Sequence, residues 1–216
     1  MKIGTISLKN NLVLAPMVDV TWLPFRLLSK KYGADLTFTE MLNPIAIAHK
    51  NKKTLELMKN VKEEKPVGIQ VCGKTTSQFE VILDVLNKYD IVDLNCGCPV
   101  PNITGQGMGA SLLQTPEKIQ EILSHLVENL DVPVTAKIRL GYRDIDVIRI
   151  AKLIEKSGAS ALTIHARTAE HRYKTKALWE WIGKVKKEIS IPVIGNGDVF
   201  NGRDAEKLLE QADAVM

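Results

Sequence analysis

Short, nearly continuous apolar runs alternate with longer segments of helical period along the whole of this 216-residue sequence. That alternation is what parallel strands joined by crossover helices require. Eight runs read as strands: Leu12 to Ala15, Leu36 to Thr39, Val67 to Val71, Val92 to Asn95, Val134 to Ile138, Ala161 to His165, Val193 to Asn196, and a last one beginning at Ala214. Amphipathic helical segments lie between them at 77–87, 116–129, 146–156, 178–188 and 201–211. Thr115 before Pro116 and Glu117 reads as an N-cap with proline at the first helical position, and Ser157-Gly158 reads as a helix end. A run such as Val134-Thr135-Ala136-Lys137-Ile138 implies a strand buried on both faces, as in a parallel sheet. Eight such units in order, with no break in composition, predict an α/β chain forming one (β/α)8 TIM barrel over residues 1–216 rather than an open doubly wound sheet.

Both ends need separate treatment. Lys2 to Leu8, turning at Lys9-Asn10-Asn11, reads as a hairpin arm ahead of the first barrel strand. Ala212 to Met216 reads as the opening of an eighth strand, at which the barrel is cut short. A barrel lacking its last unit exposes two strand edges, so closure is expected from a further segment or from a partner chain.

Composition excludes several classes. Apolar residues make up 45% and charged residues 25%, the profile of a globular enzyme. No run approaches the roughly 20 apolar residues of a membrane span, and the N-terminus lacks a secretory pattern, so no membrane association and a cytoplasmic location are expected. Three cysteines, Cys72, Cys96 and Cys98, suggest no disulfide framework and have no second Cys/His pair at zinc-ligand spacing, so no metal site is expected. A net charge of +4 decides nothing about partners.

In a barrel of this kind chemistry sits at the C-terminal ends of the strands. Polar or special residues stand there in nearly every unit: Pro16-Met17, Glu40, Gln70, Asn95 to Pro99, Lys137 and Arg139, His165 and Arg167, and Asn196-Gly197-Asp198. The strongest element is Val92-Asp93-Leu94-Asn95-Cys96-Gly97-Cys98-Pro99. A thiol between glycine and proline on an exposed loop suits proton transfer better than core packing, which makes Cys98 the candidate general acid and leaves Cys96 inert. Asn95 either contacts a ligand or caps the turn. Gly105, Gly107 and Gly109 do not have the spacing of a dinucleotide fingerprint and read as a flexible loop over the site. Arg167, Arg172, Lys174 and Lys176, with Tyr173 among them, form a cationic stretch that fits RNA phosphates or a solvated loop equally well.

The chain resembles the tRNA-dihydrouridine synthases. Their pattern of apolar-Asp-apolar-Asn-x-Gly-Cys-Pro, an aliphatic residue, five further residues and Gly-Ala is met by Val92 to Pro99, Ile103, Thr104 to Met108, and Gly109-Ala110. Leu14-Ala15-Pro16-Met17, Gly68 to Val71, Lys137-Ile138-Arg139, Ile164 to Thr168 and Ile194 to Asp198 agree as well. The resemblance implies an FMN-binding catalytic barrel that reduces the uracil C5=C6 bond in tRNA, with NADPH as reductant. It implies Cys98 as proton donor to C5, opposite hydride delivery to C6. It places Pro16, Met17 and Gln70 against the flavin ring, Lys137 and His165 near its pyrimidine end or phosphate, and Asn196 and Gly197 at the phosphate. Asn95, Arg167 and Arg172 fall to the RNA, whose target base must be flipped out. A second phosphate-binding segment and a helical tRNA-binding domain, which follow the eighth strand in the family, are not in the sequence. The competing readings are a small-molecule flavin barrel of the dihydroorotate dehydrogenase or ene-reductase kind, and a barrel that binds RNA or a partner chain without turnover.

Overall fold

A computed structural model describes all 216 residues, Met1–Met216. Its N-terminal strands, β1 (Lys2–Ile3) and β2 (Ile6–Ser7), pair antiparallel. The barrel strands that follow are β3 (Thr37–Leu42), β4 (Val67–Val71), β5 (Ile91–Cys96), β6 (Val134–Arg139), β7 (Ala161–His165), β8 (Val193–Asn196) and β9 (Ala214–Val215). They form one parallel sheet in sequence order. The interleaved helices are α1 (Leu23–Lys31), α2 (Pro44–Ala48), α3 (Lys52–Leu57), α4 (Thr76–Glu80), α5 (Leu83–Leu86), α6 (Pro101–Thr104), α7 (Pro116–Asn129), α8 (Val147–Lys156), α9 (Glu180–Lys186) and α10 (Gly202–Leu209).

The ring closes through the segment preceding α1. Val13 donates its N–H to Val215 at 2.8 Å, and Val215 donates to Asn11 at 2.9 Å. On the other side Leu14 donates to Leu36 at 2.9 Å and Asp35 to Leu12 at 2.8 Å. The expected strand from Leu12 to Ala15 is thus reduced to two bridging residues that meet both edges of the seven-stranded sheet. The two open edges expected from the sequence are not found at this level, because a two-residue β9 is long enough to make its bridge.

Two apolar layers hold the barrel. Inside its lower end, Val13, Leu36, Phe38, Ile91, Ala161, Ile194 and Ala214 pack with Ile3 and Leu8, so the N-terminal arm plugs the barrel floor. The arm turns at Gly4-Thr5 rather than at residues 9–11, because Gly4 adopts φ +53 against Pro133, where a Cβ would lie 2.6 Å from Cγ. Lys9 to Asn11 makes a second turn, clamped by the Asp35 carboxylate on the N–H groups of Asn10 and Asn11. Between sheet and helices lies the larger core, to which α7 contributes Ile119, Ile122, Leu123 and Leu126, and α8 Val147, Ile150, Ala151 and Ile154. Each of these Val, Leu and Ile side chains contributes about 1.5–3 kcal/mol of transfer free energy.

Local signals hold with two exceptions. Ser157 ends α8 with Gly158 at φ +85, and Pro116 opens α7, but Thr115 makes no side-chain cap because its backbone lies at φ −137, ψ 69. The single helix expected over 77–87 is broken at Val81-Ile82 into α4 and α5.

Candidate active site

Strand alternation sends every second side chain into the barrel. Register then aligns Gln70 with Asp93 and Thr135, Asn95 with Lys137 and Thr163, and Arg139 with His165 and Asn196. The lower end of the barrel is filled with aliphatic and aromatic residues and the upper end with polar ones. They border a cavity of about 1090 Å³ at the C-terminal ends of the strands.

A continuous hydrogen-bonded chain runs up one wall. Thr135 donates its hydroxyl to Asp93 Oδ1 at 2.7 Å, and Gln70 donates Nε2–H to Asp93 Oδ2 at 2.8 Å. Asn95 donates Nδ2–H to Gln70 Oε1 at 2.9 Å, while its own Oδ1 accepts the backbone N–H groups of Gly97 at 3.1 Å and Cys98 at 2.9 Å. Asn95 therefore caps the turn that carries Cys98 and keeps one N–H for a ligand. Burial pushes the Asp93 carboxyl up to about 6, opposed by the hydrogen bonds from Gln70 and Thr135 and by the charge of Lys137. Asp93 was not singled out from the sequence, although an acidic residue two positions before Asn95 on one buried strand face was a usable signal.

The opposite wall is cationic. Lys137 donates to Asn196 Oδ1 at 2.8 Å, and Asn196 donates to the carbonyl of Met216 at 2.8 Å. Burial lowers the Lys137 amine to about 8, with Asp93 pulling the other way and Arg139 adding to the depression. His165 is pushed down to about 2 by burial, then by Lys137, Arg139 and Arg167, and its Nδ1 has no partner. Arg139 bonds the carbonyl of Gly97 at 2.8 Å and lies 5.4 Å from the centre of the Tyr173 ring, which meets His165 edge-on. Arg167 is nearly enclosed and donates from the single nitrogen Nη2 to both Asp198 oxygens, at 2.5 and 2.7 Å, with a further bond from Nε to the carbonyl of Thr175. The exposed cations at the rim are Arg172, Lys174 and Lys176.

Gly105 and Gly107 are exposed, but the end of the glycine-rich stretch is packed against the Cys98 loop. Gly109 and Ala110 are buried, and Ala110 donates its N–H to the carbonyl of Cys98 at 2.9 Å. Gly109 needs both its φ of +59 and its missing Cβ to approach that carbonyl. Cys72 and Cys96 are buried, and burial raises Cys72 to about 12 and Cys96 well above an ordinary thiol. Cys98 alone of the three is partly open and lines the cavity.

The profile of the dihydrouridine synthase family matches residues 13–216. The chain belongs to that family. A probable tRNA-dihydrouridine synthase of Aquifex aeolicus is 38% identical over 216 residues, covering 96% of this chain and 68% of the relative. The tRNA-dihydrouridine synthase B of Vibrio parahaemolyticus is 40% identical over 227 residues, covering 100% of this chain and 69% of the relative. This dihydrouridine synthase family member thus spans about two thirds of the length of these relatives. Among solved structures, the old yellow enzyme homologue of Zymomonas mobilis superposes with a TM-score of 0.70 at 9% identity, covering 100% of this chain and 86% of that one. FabK of Thermotoga maritima superposes with a TM-score of 0.61 at 16% identity, covering 96% and 57%. At such identity these two show the shared barrel fold alone. Within it, the structure brings the sequence candidates together: Pro16, Met17, Gln70, Lys137, His165, Asn196 and Gly197, the candidate acid Cys98, and Asn95, Arg167 and Arg172 all line the one cavity. No group of three or more His, Cys, Asp or Glu residues could hold a metal ion, and no helix is long and apolar enough to cross a membrane.

Proposed function

We propose that this chain reduces uridine to 5,6-dihydrouridine in tRNA, and that the partly open Cys98 thiol, held at the mouth of the barrel cavity, carries the reading. The residues present fit a bound flavin mononucleotide. The cavity is larger than the several hundred Å³ a cofactor-sized ligand needs. Its wall at Pro16, Met17 and Met41 is apolar and suits the ring system, and Gln70 lies beside it. Lys137, Arg139 and His165 line the same space, and this concentration of cationic and imidazole groups suits an anionic ring edge or phosphate. Asn196 and Gly197 border the phosphate end. Flavin mononucleotide, when bound, supplies the hydride that adds to uracil C6, and NADPH restores its reduced form.

The chain's own residues do the rest. Cys98 gives its thiol proton to C5 from the face opposite the flavin, and the thiolate is reprotonated from solvent at the open mouth. Asn95, by its remaining N–H, and Arg172 orient the uracil and its ribose phosphate. Arg167, bonded to Asp198, braces the wall beside them. The exposed Arg172, Lys174 and Lys176 attract the RNA backbone, and the cavity accepts a base only after it leaves the stack. A tRNA substrate fits an activity in the cytoplasm.

The test is reconstitution. The purified chain should retain flavin absorbance and, given NADPH and unmodified tRNA, form dihydrouridine detectable as a 2 Da mass gain in digested RNA, an increment that is just the added hydride and proton. Absence of dihydrouridine from the flavin-loaded chain with every candidate tRNA overturns the reading.

A further inference from the structure

We infer that Asp93 is a positioning residue that sets the Cys98 loop through a hydrogen-bond chain with only one satisfiable direction. The inference rests on the proposed role of Cys98 in uridine reduction. The chain begins at a group that, ionised, can only accept, and ends at two groups that can only donate, the backbone N–H groups of Gly97 and Cys98. Two amides, Gln70 and Asn95, lie between them. Each has one donor end and one acceptor end. With Asp93 accepting, Gln70 must turn Nε2 toward it, which turns Oε1 toward Asn95. Asn95 must then donate Nδ2–H to Gln70, which leaves Oδ1 facing the Cys98 turn. Inverting either amide sets donor against donor or acceptor against acceptor, and in a buried row each such mismatch costs about 1–3 kcal/mol. The direction follows from the two ends alone and does not depend on telling amide oxygen from nitrogen.

The burial of the chain makes it decisive. Gln70, Asp93 and Thr135 are each about 1–2% exposed, so bulk solvent does not reach a lost partner. An apolar residue at position 93 would relieve the cost of a buried carboxylate, yet it would leave Gln70 Nε2 without an acceptor and remove the anchor that holds Gln70 Oε1 against Asn95. Thr135 supplies the second hydrogen bond that keeps Asp93 in place, and Lys137 is the nearby cation favouring its ionised form. A second tie on the same loop, Arg139 to the carbonyl of Gly97, fixes the turn from the opposite side. The thiol is thereby held between two walls of the barrel, and a shift of about 1 Å in such a group costs on the order of a hundredfold in rate.

The experiment compares Asp93→Leu and Asp93→Asn in the full chain, first by amide hydrogen exchange at Gly97 and Cys98 and then by turnover on tRNA. Asp93→Leu should speed exchange at both amides by about tenfold, the equivalent of one lost hydrogen bond. It should lower kcat at least about tenfold while KM for tRNA stays within about twofold. Asp93→Asn should restore both readouts, because its oxygen can face Gln70 while the Thr135 hydroxyl turns to accept from its amide. Wild-type exchange at 97 and 98 in a cooperatively folded Asp93→Leu variant overturns the proposal, as does an Asn variant no better than Leu. Should the Leu variant fail to fold, Gln70→Met interrupts the same chain one step higher. Unaltered exchange at the two amides in that variant overturns the proposal equally. Exchange is read without RNA, so its outcome is separate from whether uridine reduction itself is confirmed.

Discussion

Ala110 donates its backbone N–H to the carbonyl of Cys98 at 2.9 Å, and this bond ties the glycine-rich stretch to the reactive loop. The residue that permits it is Gly109, whose Cβ, if present, would lie 2.8 Å from both Cys98 O and Ile103 Cγ2. A backbone oxygen cannot swing aside as a side chain can. Gly109→Ala is therefore expected to destabilise the fold by about 1–3 kcal/mol, from strain at φ +59 and the contact together. It should displace the thiol enough to lower uridine turnover on the order of tenfold to a hundredfold. Thermal unfolding and kcat measured on one preparation would check both.

Cys98→Ala removes the proton donor and little else, since the thiol is partly open and the loop is held by backbone contacts. Flavin absorbance and melting temperature should stay near wild type while dihydrouridine formation falls by about a hundredfold or more, the range of a lost general acid. Full turnover in the alanine variant would assign the proton to another group.

Arg167 and Asp198 form an ion pair with the guanidinium nearly enclosed. Burial works against ionisation of Asp198, but hydrogen bonds from Arg167 and Ala177, with the charges of Arg167 and Lys176, hold its carboxyl below the ordinary range. Arg167→Met removes the ion pair while the partly exposed carboxylate keeps its bond from Ala177, and the expected loss is about 1–3 kcal/mol of stability. A rim phosphate contact would predict a different result, weaker tRNA binding and a shallower salt dependence with unchanged stability. Chemical denaturation beside a salt titration of tRNA affinity separates the two.

The strands were legible because parallel strands buried on both faces leave dense apolar runs. Val67–Val71, Ala161–His165 and Val193–Asn196 have the ends read from the sequence. Position at strand ends likewise gathered the candidates around one cavity before any contact was known. What could not be read was tertiary. The break at Val81-Ile82 interrupts a segment of good helical period, and the turn at Gly4 depends on Pro133, over a hundred residues away. Ring closure by Leu12 and Val13 rests on single bridges that leave no strand-length pattern. The glycines near 105–109 read as freedom, whereas Gly109 serves close approach to Cys98. Asp93 left a sequence signal, an acidic residue on a buried strand face, but its role exists only once Gln70 and Asn95 come into line from separate strands.

His165 makes the sharpest test of the cationic wall. Burial, then Lys137, Arg139 and Arg167, push its imidazole from an ordinary value near 6.5 down to about 2. It should stay neutral while the unfolded chain takes up a proton. A depressed pKa means the group's contribution to stability is present above about pH 6.5 and is lost progressively as pH falls toward about 2. Between pH 7 and 4.5 wild type should lose roughly 2–3 kcal/mol that a His165→Gln variant does not, counted at about 1.4 kcal/mol per unit. Denaturant unfolding of both proteins at the two pH values reads this difference directly. The imidazole C–H resonances of His165 should also remain flat over that range in the ligand-free chain and begin to titrate when inorganic phosphate or flavin mononucleotide brings a dianion beside the ring. A midpoint near 6.5 in the ligand-free chain would mean that the wall is wetter, or less charged, than its geometry implies.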